Sequence, residues 1–357
     1  MNQRTDPRGW LIAGLAAIIL LVGGYKLEKK YHPARPEMPT PRTEIIPPPP
    51  PQPEPPKTPA TPNISTAIPA FAQYPGIVTQ LQKWNQEAPD LTEVGTYGKS
   101  RQGKDLTYIR VTNKFDSSPK PVVLIHGCIH GNEPHATTTV MALIGTMLAN
   151  YGKDQEVTTL INTRDIYFVP VMCVDSYPNS RHIDGVDPNR DYPCPKYPNK
   201  TSTPCVKAMQ DFFTKIKPKA VMSCHTFGRV FLCPWGDQMQ TCPNWSDYQR
   251  IIGKISTMCQ YRIDRACNMY GQPIHGGELD WYYRRGAFSV VMEIGTHQHP
   301  PSMQEIQSEF QRTYKGLLCF IQEAPTVNIQ PVSFIEDQWL RTEKMIVPIK
   351  CHVSMTN

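Results

Sequence analysis

Val122-Val123-Leu124-Ile125-His126-Gly127-Cys128-Ile129-His130-Gly131-Asn132-Glu133-Pro134 is the stretch on which the reading of the fold turns. A short β-branched and aliphatic run ends in a glycine-punctuated loop, the pattern of a buried strand that empties into a site. The apolar-rich segment Ala136–Leu148 follows and reads as a helix with Pro134 in its opening turn. Between strand and helix the loop presents His130 and Glu133. A neutral imidazole and a carboxylate suit a zinc ion that keeps one coordination position open. A surface histidine beside a solvated glutamate gives the same pattern, so the remaining ligands must come from elsewhere in the chain.

The chain has 357 residues and a formal charge of +6. Residues 1–62 hold eight Lys/Arg against five Asp/Glu, which is +3 of that total. The remainder is close to balanced, without a basic block or basic–aromatic interleaving, and this excludes nucleic acid as an expected partner. Eleven cysteines is an odd number, so they cannot all pair within the chain. Proximity suggests Cys194/Cys205, Cys233/Cys242 and Cys259/Cys267 as disulfides in an oxidising compartment. Cys128 and Cys224, beside candidate ligands, read as free packed thiols.

Trp10–Tyr25 is uncharged and bracketed by Arg8 and Lys26. As a helix it spans about 24 Å, and interfacial Trp10, Tyr25 and Lys26 extend its reach toward a hydrocarbon core of roughly 30 Å. No small-x-small cleavage pattern follows it, so an uncleaved signal anchor is expected rather than a signal peptide. Residues 33–62 contain 14 prolines, including the run Pro47–Pro51. Such a segment populates polyproline II and serves as a spacer of up to about 90 Å.

From Phe71 the chain reads as one folded domain. Pro75–Ala88 has the spacing of an amphipathic helix, with Ile77, Leu81 and Trp84 on one face. Thr92–Tyr97, Leu106–Thr112, Asp165–Met172, Lys219–Cys224 and Ala287–Ile294 read as further strands. Residues 205–217, 245–259 and Glu305–Ile321 read as helices, and a long loop runs from Cys173 to about Pro204. Strands alternating with helices, several apolar on both faces, predict an α/β sheet covered on both sides.

Three further stretches put polar chemistry where such sheets place their sites, at the carboxyl ends of strands. His225 ends an apolar strand. It is a third zinc ligand if His130 and Glu133 are the other two, and otherwise a hydrogen-bonded core histidine. Glu293 interrupts Val290-Val291-Met292-Glu293-Ile294, where a carboxylate is costly unless it is paired or working. The alternatives are a structural ion pair and a general base toward a water activated by zinc. In the long loop, Asp187-Pro188-Asn189-Arg190 and Arg181 are either a solvated turn or the groups that bind a carboxylate (Asn189, Arg190) and face an oxyanion (Arg181). His126, His182, His275, His297 and His299 have no matching partners in sequence and read as structural.

The ordered motifs His130–Glu133, Gly185–Arg190, His225–Gly236, Gly276–Trp281 and Val291–Gly295 resemble those of the zinc carboxypeptidase A family, peptidase family M14, over residues 71–322. The resemblance implies an α/β fold with a mixed, mostly parallel, eight-stranded sheet sandwiched between helices. It implies one Zn2+ per chain on His130, Glu133 and His225, with Glu293 as general base. It further implies Asn189 and Arg190 on the substrate's terminal carboxylate and Arg181 at the oxyanion. Three departures from the family pattern accompany it. Arg181 is one residue closer to Asn189 than the pattern has it. The position of the family's mobile tyrosine holds Gln272, with Tyr270 two residues away. The position that sets side-chain preference corresponds to Leu279, which argues against an acidic pocket for basic C-terminal residues.

The expected organisation is an N-terminal flank 1–9, a transmembrane signal anchor 10–25, a Pro-rich linker 26–70, a catalytic domain 71–322 and a C-terminal tail 323–357. The expected function is zinc-dependent hydrolysis of the C-terminal peptide bond of an exported or cell-wall peptide. The partners are then a peptide with a free C-terminal carboxylate, the membrane through the anchor, and peptidoglycan, with the catalytic domain on the periplasmic or extracellular side. The alternatives are a peptidoglycan stem-peptide amidase of the same family, a catalytically silent peptide- or wall-binding domain, and a metal-dependent deacylase of small N-acyl amino acids.

Overall fold

Runs of β-branched and aliphatic residues set the centre of the molecule. The computed structural model describes residues 57–64, 73–297 and 302–333. The expected anchor 10–25 and most of the expected linker lie outside them. Among the described residues no helix is long and apolar enough to cross a membrane.

β3 (Val122–Gly127), β5 (Ala220–His225) and β8 (Phe288–Glu293) run parallel, with β4 (Asp165–Val169) parallel on the other side of β3. β1 (Thr92–Lys99) and β2 (Asp105–Val111) extend one edge antiparallel. β6 (Val230–Cys233) and β7 (Arg262–Arg265) extend the other. The order is β1-β2-β4-β3-β5-β8-β6-β7. This is the mixed eight-stranded sheet expected. β6 and β7 were not legible in the sequence: each has four residues, and Arg262-Ile263-Asp264-Arg265 has one apolar side chain.

The central strands β5 and β8 are buried along their whole length, so both faces of the sheet are covered. On one face α2 (Pro134–Asn150), α3 (Gln155–Thr163), α5 (Trp245–Cys259) and α8 (Met303–Glu323) pack on one another. On the other, α4 (Pro204–Ile216) meets α7 (Glu278–Arg284) through Phe213, which stacks on Tyr282 and meets Trp281 edge-on. Phe212, one residue earlier on α4, packs against Tyr97, Tyr108 and Tyr167 of β1, β2 and β4. α1 (Tyr74–Glu87) buries the expected face of Ile77, Leu81 and Trp84. Burying one such side chain contributes about 1.5–3 kcal/mol.

β4 stops at Val169 rather than at Met172 as expected. Pro170 has no N–H to continue the ladder. None of the three expected disulfides is made. The ten described cysteines are free and buried. Cys205, in the first turn of α4, faces Cys173 with the sulfurs 2.7 Å apart, and Cys259 is packed against Gly316 of α8. Residues 323–333 stay packed on the domain: Val327 and Ile329 are buried, and the Val332 N–H donates to the Arg284 carbonyl at 2.8 Å.

Candidate active site

The parallel register brings three strand ends to one level. His225 is paired with Glu293 across β5 and β8, and Gly127 with Cys224 across β3 and β5. The loop after β3 then turns sharply. Cys128 takes a left-handed φ of 51°, and a Cβ on Gly131 would lie 2.3 Å from the Ser176 carbonyl carbon, so only glycine fits there. The Glu133 N–H closes the turn on the His130 carbonyl at 3.2 Å, and both side chains emerge on the same side.

His130, Glu133 and His225 are all nearly fully buried, and one ligand atom from each lies within 4.8 Å of the others. Glu133 Oε1 is 2.8 Å from His130 Nδ1, and Oε2 is 3.0 Å from His225 Nδ1. The outer nitrogens face carboxylates: His130 Nε2 is 3.1 Å from Asp187 Oδ1, and His225 Nε2 is 2.9 Å from Glu278 Oε1. Two imidazoles and a carboxylate with converging inner atoms, each ring backed by an acid, is the donor set of a zinc site with an open position. The residues present therefore fit that ion.

The electrostatics favour positive charge at this point. Burial pushes the Glu133 carboxyl up, but the His225 charge and hydrogen bonds from both imidazoles outweigh it and bring it down to about 2. Burial opposes charge on His225, yet the Glu133 and Glu278 carboxylates hold it well above its ordinary value. Asp187 is pushed up by burial, but its hydrogen bond from His130 and the nearby Arg181 keep it well below the usual carboxylate range. Glu293 has no such compensation. Burial, reinforced by Glu133, raises it to about 7 against the pull of His225, His130 and Arg181. A carboxyl near neutrality is matched to taking and returning a proton.

The long loop folds over this cluster. Asp187 caps the 3-10 turn Pro188–Arg190 by accepting the Asn189 N–H at 2.9 Å. Its second oxygen accepts Arg181 Nε and Nη2 at 3.1 and 3.0 Å, which leaves Arg181 Nη1 3.7 Å from Glu133. One cavity of about 340 Å³ is lined by His130, Glu133, Arg181, Asn189, Arg190, His225, Tyr270 and Glu293, with Phe227 on its rim. All the expected site residues but Leu279 thus share one cavity, Tyr270 included although its sequence position is offset. Tyr270 is 48% exposed.

Leu279 lines an adjoining recess of about 40 Å³ with Leu232, Ala266, Ile274 and Val291. Asn189, Arg190, Tyr270 and Glu293 border both spaces. Asp280 also reaches this recess. Its oxygens are occupied by the N–H groups of Gly236 and Asp237 at 2.7–3.0 Å, so it offers little to a basic side chain.

The sequence reading did not identify Asp187 as the partner of His130, nor Glu278 and Ser223 at the site. It left His126 without a partner, and the structure corrects this: His126 Nε2 lies 3.3 Å from Glu278 Oε2. Glu278 stands inside a quoted motif, but a glutamate opening a helix is also an ordinary complement to the helix dipole.

Comparison with known proteins adds a second line. The family model described as zinc carboxypeptidase matches residues 77–316. Carboxypeptidase A2 of Rattus norvegicus is 24% identical over 257 residues, covering 61% of this chain and 61% of that protein. A zinc carboxypeptidase of Simulium vittatum is 26% identical over 247 residues, covering 58% of this chain and 80% of the relative. The chain thus spans about six tenths of the length of the rat relative. Among solved structures, thrombin activatable fibrinolysis inhibitor superposes with a TM-score of 0.65 at 18% identity, covering 73% of this chain and 76% of that one. Carboxypeptidase A from Helicoverpa armigera gives 0.62 at 17% identity, covering 74% and 77%. At such identities the structural likeness speaks for the fold alone.

Proposed function

The chain belongs to the zinc carboxypeptidase family, and from that premise we propose that it is a zinc-dependent metallocarboxypeptidase that releases the C-terminal residue of a peptide. One observation carries the reading. The cluster His130, Glu133 and His225, the carboxyl of Glu293 and the pair Asn189 and Arg190 line one cavity. A catalytically silent binding domain has no need of a buried carboxyl that shares a cavity with a metal-ligand set.

A zinc ion bound by the three ligands would supply Lewis acidity, making a water acidic near neutrality and polarising the scissile carbonyl. Arg190 and Asn189 hold the terminal carboxylate. Charge-assisted hydrogen bonds of this kind contribute about 1.5–3 kcal/mol each. The C-terminal side chain enters the recess floored by Leu279, which selects small or medium apolar residues. Glu293 accepts the proton of the attacking water and delivers it to the leaving amine. Arg181, fixed by Asp187, presents its remaining N–H groups beside Glu133, where the carbonyl oxygen gains charge.

Export of the domain on an N-terminal tether, with a cell-wall peptide as substrate, rests on the sequence of residues 10–62. The deciding experiment uses the full chain with blocked dipeptides, purified wall stem peptides and a small N-acyl amino acid, with zinc content measured alongside. About one zinc per chain and release of a C-terminal residue are expected, both lost with a chelator. Stoichiometric zinc with cleavage of the N-acyl amino acid alone would replace this reading with a deacylase. Absence of bound zinc would remove it.

A further inference from the structure

Glu278 is completely buried, and it is neither one of the metal ligands nor one of the substrate groups named above. Even so, its Oε1 and its backbone N–H are directed at the site. Oε1 accepts from His225 Nε2 at 2.9 Å and from Ser223 Oγ at 2.5 Å. Oε2 lies 3.3 Å from Nε2 of the equally buried His126. The backbone N–H donates to Asn189 Oδ1 at 2.9 Å. A carboxylate at this depth persists only with compensating partners, and its side-chain contacts are two imidazoles and a hydroxyl.

The geometry of His225 shows what the arrangement does. Its Nδ1 points into the ligand cluster, 3.0 Å from Glu133 Oε2, and its Nε2 points the opposite way, at Glu278. A proton held on Nε2 leaves the Nδ1 lone pair free for a cation, because a neutral imidazole has one N–H and one acceptor nitrogen. His130 is arranged alike, with Asp187 behind it. Asp187, however, is itself anchored by Arg181, whereas Glu278 is anchored by Ser223 and sits beside His126.

We propose that Glu278 is a positioning residue that acts through His225. Its carboxylate fixes the Nε2–H tautomer, holds the ring in register with Glu133 and raises the basicity of Nδ1. Its backbone N–H independently sets the amide of Asn189. One residue therefore aligns both the metal side and the carboxylate side of the cavity. The inference rests on the reading of the cluster as a zinc site.

The two roles separate in Glu278→Gln, because only the side chain changes. Glutamine keeps the shape and an acceptor for His225 but not the charge. In the full chain, the Zn2+ dissociation constant measured against a chromophoric chelator should rise 10- to 100-fold, the range for loss of an outer partner. The visible spectrum of the Co2+-loaded protein should shift, while KM for a blocked dipeptide should stay within about 3-fold, because the contact to Asn189 is retained. Ser223→Ala loosens the anchor but keeps the His225 contact, so it should change the metal affinity by less than 3-fold. Equal zinc affinity in Glu278→Gln and the unaltered chain overturns the proposal. So does an equal loss in Ser223→Ala, which marks the cluster as mere packing. Should Glu278→Gln fail to fold, histidine 15N spectra of the unaltered metal-free chain at alkaline pH decide, with the His225 signal identified by its loss in His225→Gln. Protonated Nε2 supports the role, and protonated Nδ1 overturns it. If the unaltered chain binds no zinc at all, the proposed function fails first and this inference falls with it.

Discussion

The backbone N–H of Glu278 donates to Oδ1 of Asn189. That bond uses the acceptor end of the Asn189 side chain and turns its NH2 group toward the cavity. Asn189→Asp keeps the acceptor for Glu278 but replaces the donor with a negative oxygen. KM for peptides with a free C-terminus should rise about 10- to 100-fold, with kcat within about 3-fold, as expected for a lost hydrogen bond to a charged group. Steady-state kinetics on free and amidated dipeptides check this, and the amidated substrate should not discriminate between the two proteins.

Glu293 gives a pH signature. As the base it must be ionised, so kcat/KM should fall on the acid side with an apparent pKa at or below about 7, the bound cation drawing it lower. Glu293→Gln should lose about 10²- to 10⁴-fold in kcat with little change in KM. In the metal-free chain the same residue should govern stability. Its folded value of about 7 lies above the unfolded value of about 4.3. Between the two the folded state keeps a proton that the unfolded chain has released, so stability falls as pH rises through this window and is level above it. Glu293→Gln should therefore be more stable than the unaltered metal-free chain at pH 8, by on the order of 3–4 kcal/mol, and little different at pH 4. Urea titrations at the two pH values check the sign.

Gly276 is held in place by Arg190 and Tyr192. Its φ is +80°, a Cβ there would lie 2.5 Å from the Arg190 carbonyl oxygen, and its own carbonyl accepts the Tyr192 N–H at 3.0 Å. Gly276→Ala should cost about 1–3 kcal/mol of stability and push the Arg190 loop outward. A higher KM accompanying the lower melting temperature is expected. A change in melting temperature alone would show that the loop absorbs the methyl group.

Leu279 floors the recess together with Leu232, Ala266 and Val291. Leu279→Ala should shift preference from small aliphatic toward aromatic C-terminal residues, changing the ratio of kcat/KM values by about 10-fold or more. It should also destabilise the domain by about 2–4 kcal/mol, since these four side chains and Val230 form their own small apolar cluster. A panel of blocked dipeptides differing only in the last residue measures the shift.

The legible parts of the molecule were those encoded by local pattern. β3, β5 and β8 are apolar runs that end in polar residues, and His130, Glu133, His225 and Glu293 stand at those ends. α5 matched its expected span because its apolar residues Tyr248, Ile251, Ile252 and Ile255 repeat with the helical period. The unread parts are those that the fold creates. β7 is polar on its own and becomes a strand because it pairs with β6. α7, seven residues long, is stabilised by packing on β8 and α4 rather than by intrinsic propensity. His126 and Glu278 are 152 residues apart (278 − 126) and have meaning only as a pair.

The placing of Asn189 and Arg190 in the cavity lining has a kinetic meaning. If Asn189 and Arg190 take a terminal carboxylate as proposed, each hydrolysis leaves the shortened peptide with a new one. The product of one turnover is thus a candidate substrate for the next, and the chain end recedes one residue at a time. What halts this erosion is the first side chain that the 40 Å³ recess rejects. The length of each surviving peptide would then be written in its own sequence: it ends in the large or charged residue nearest its original C-terminus.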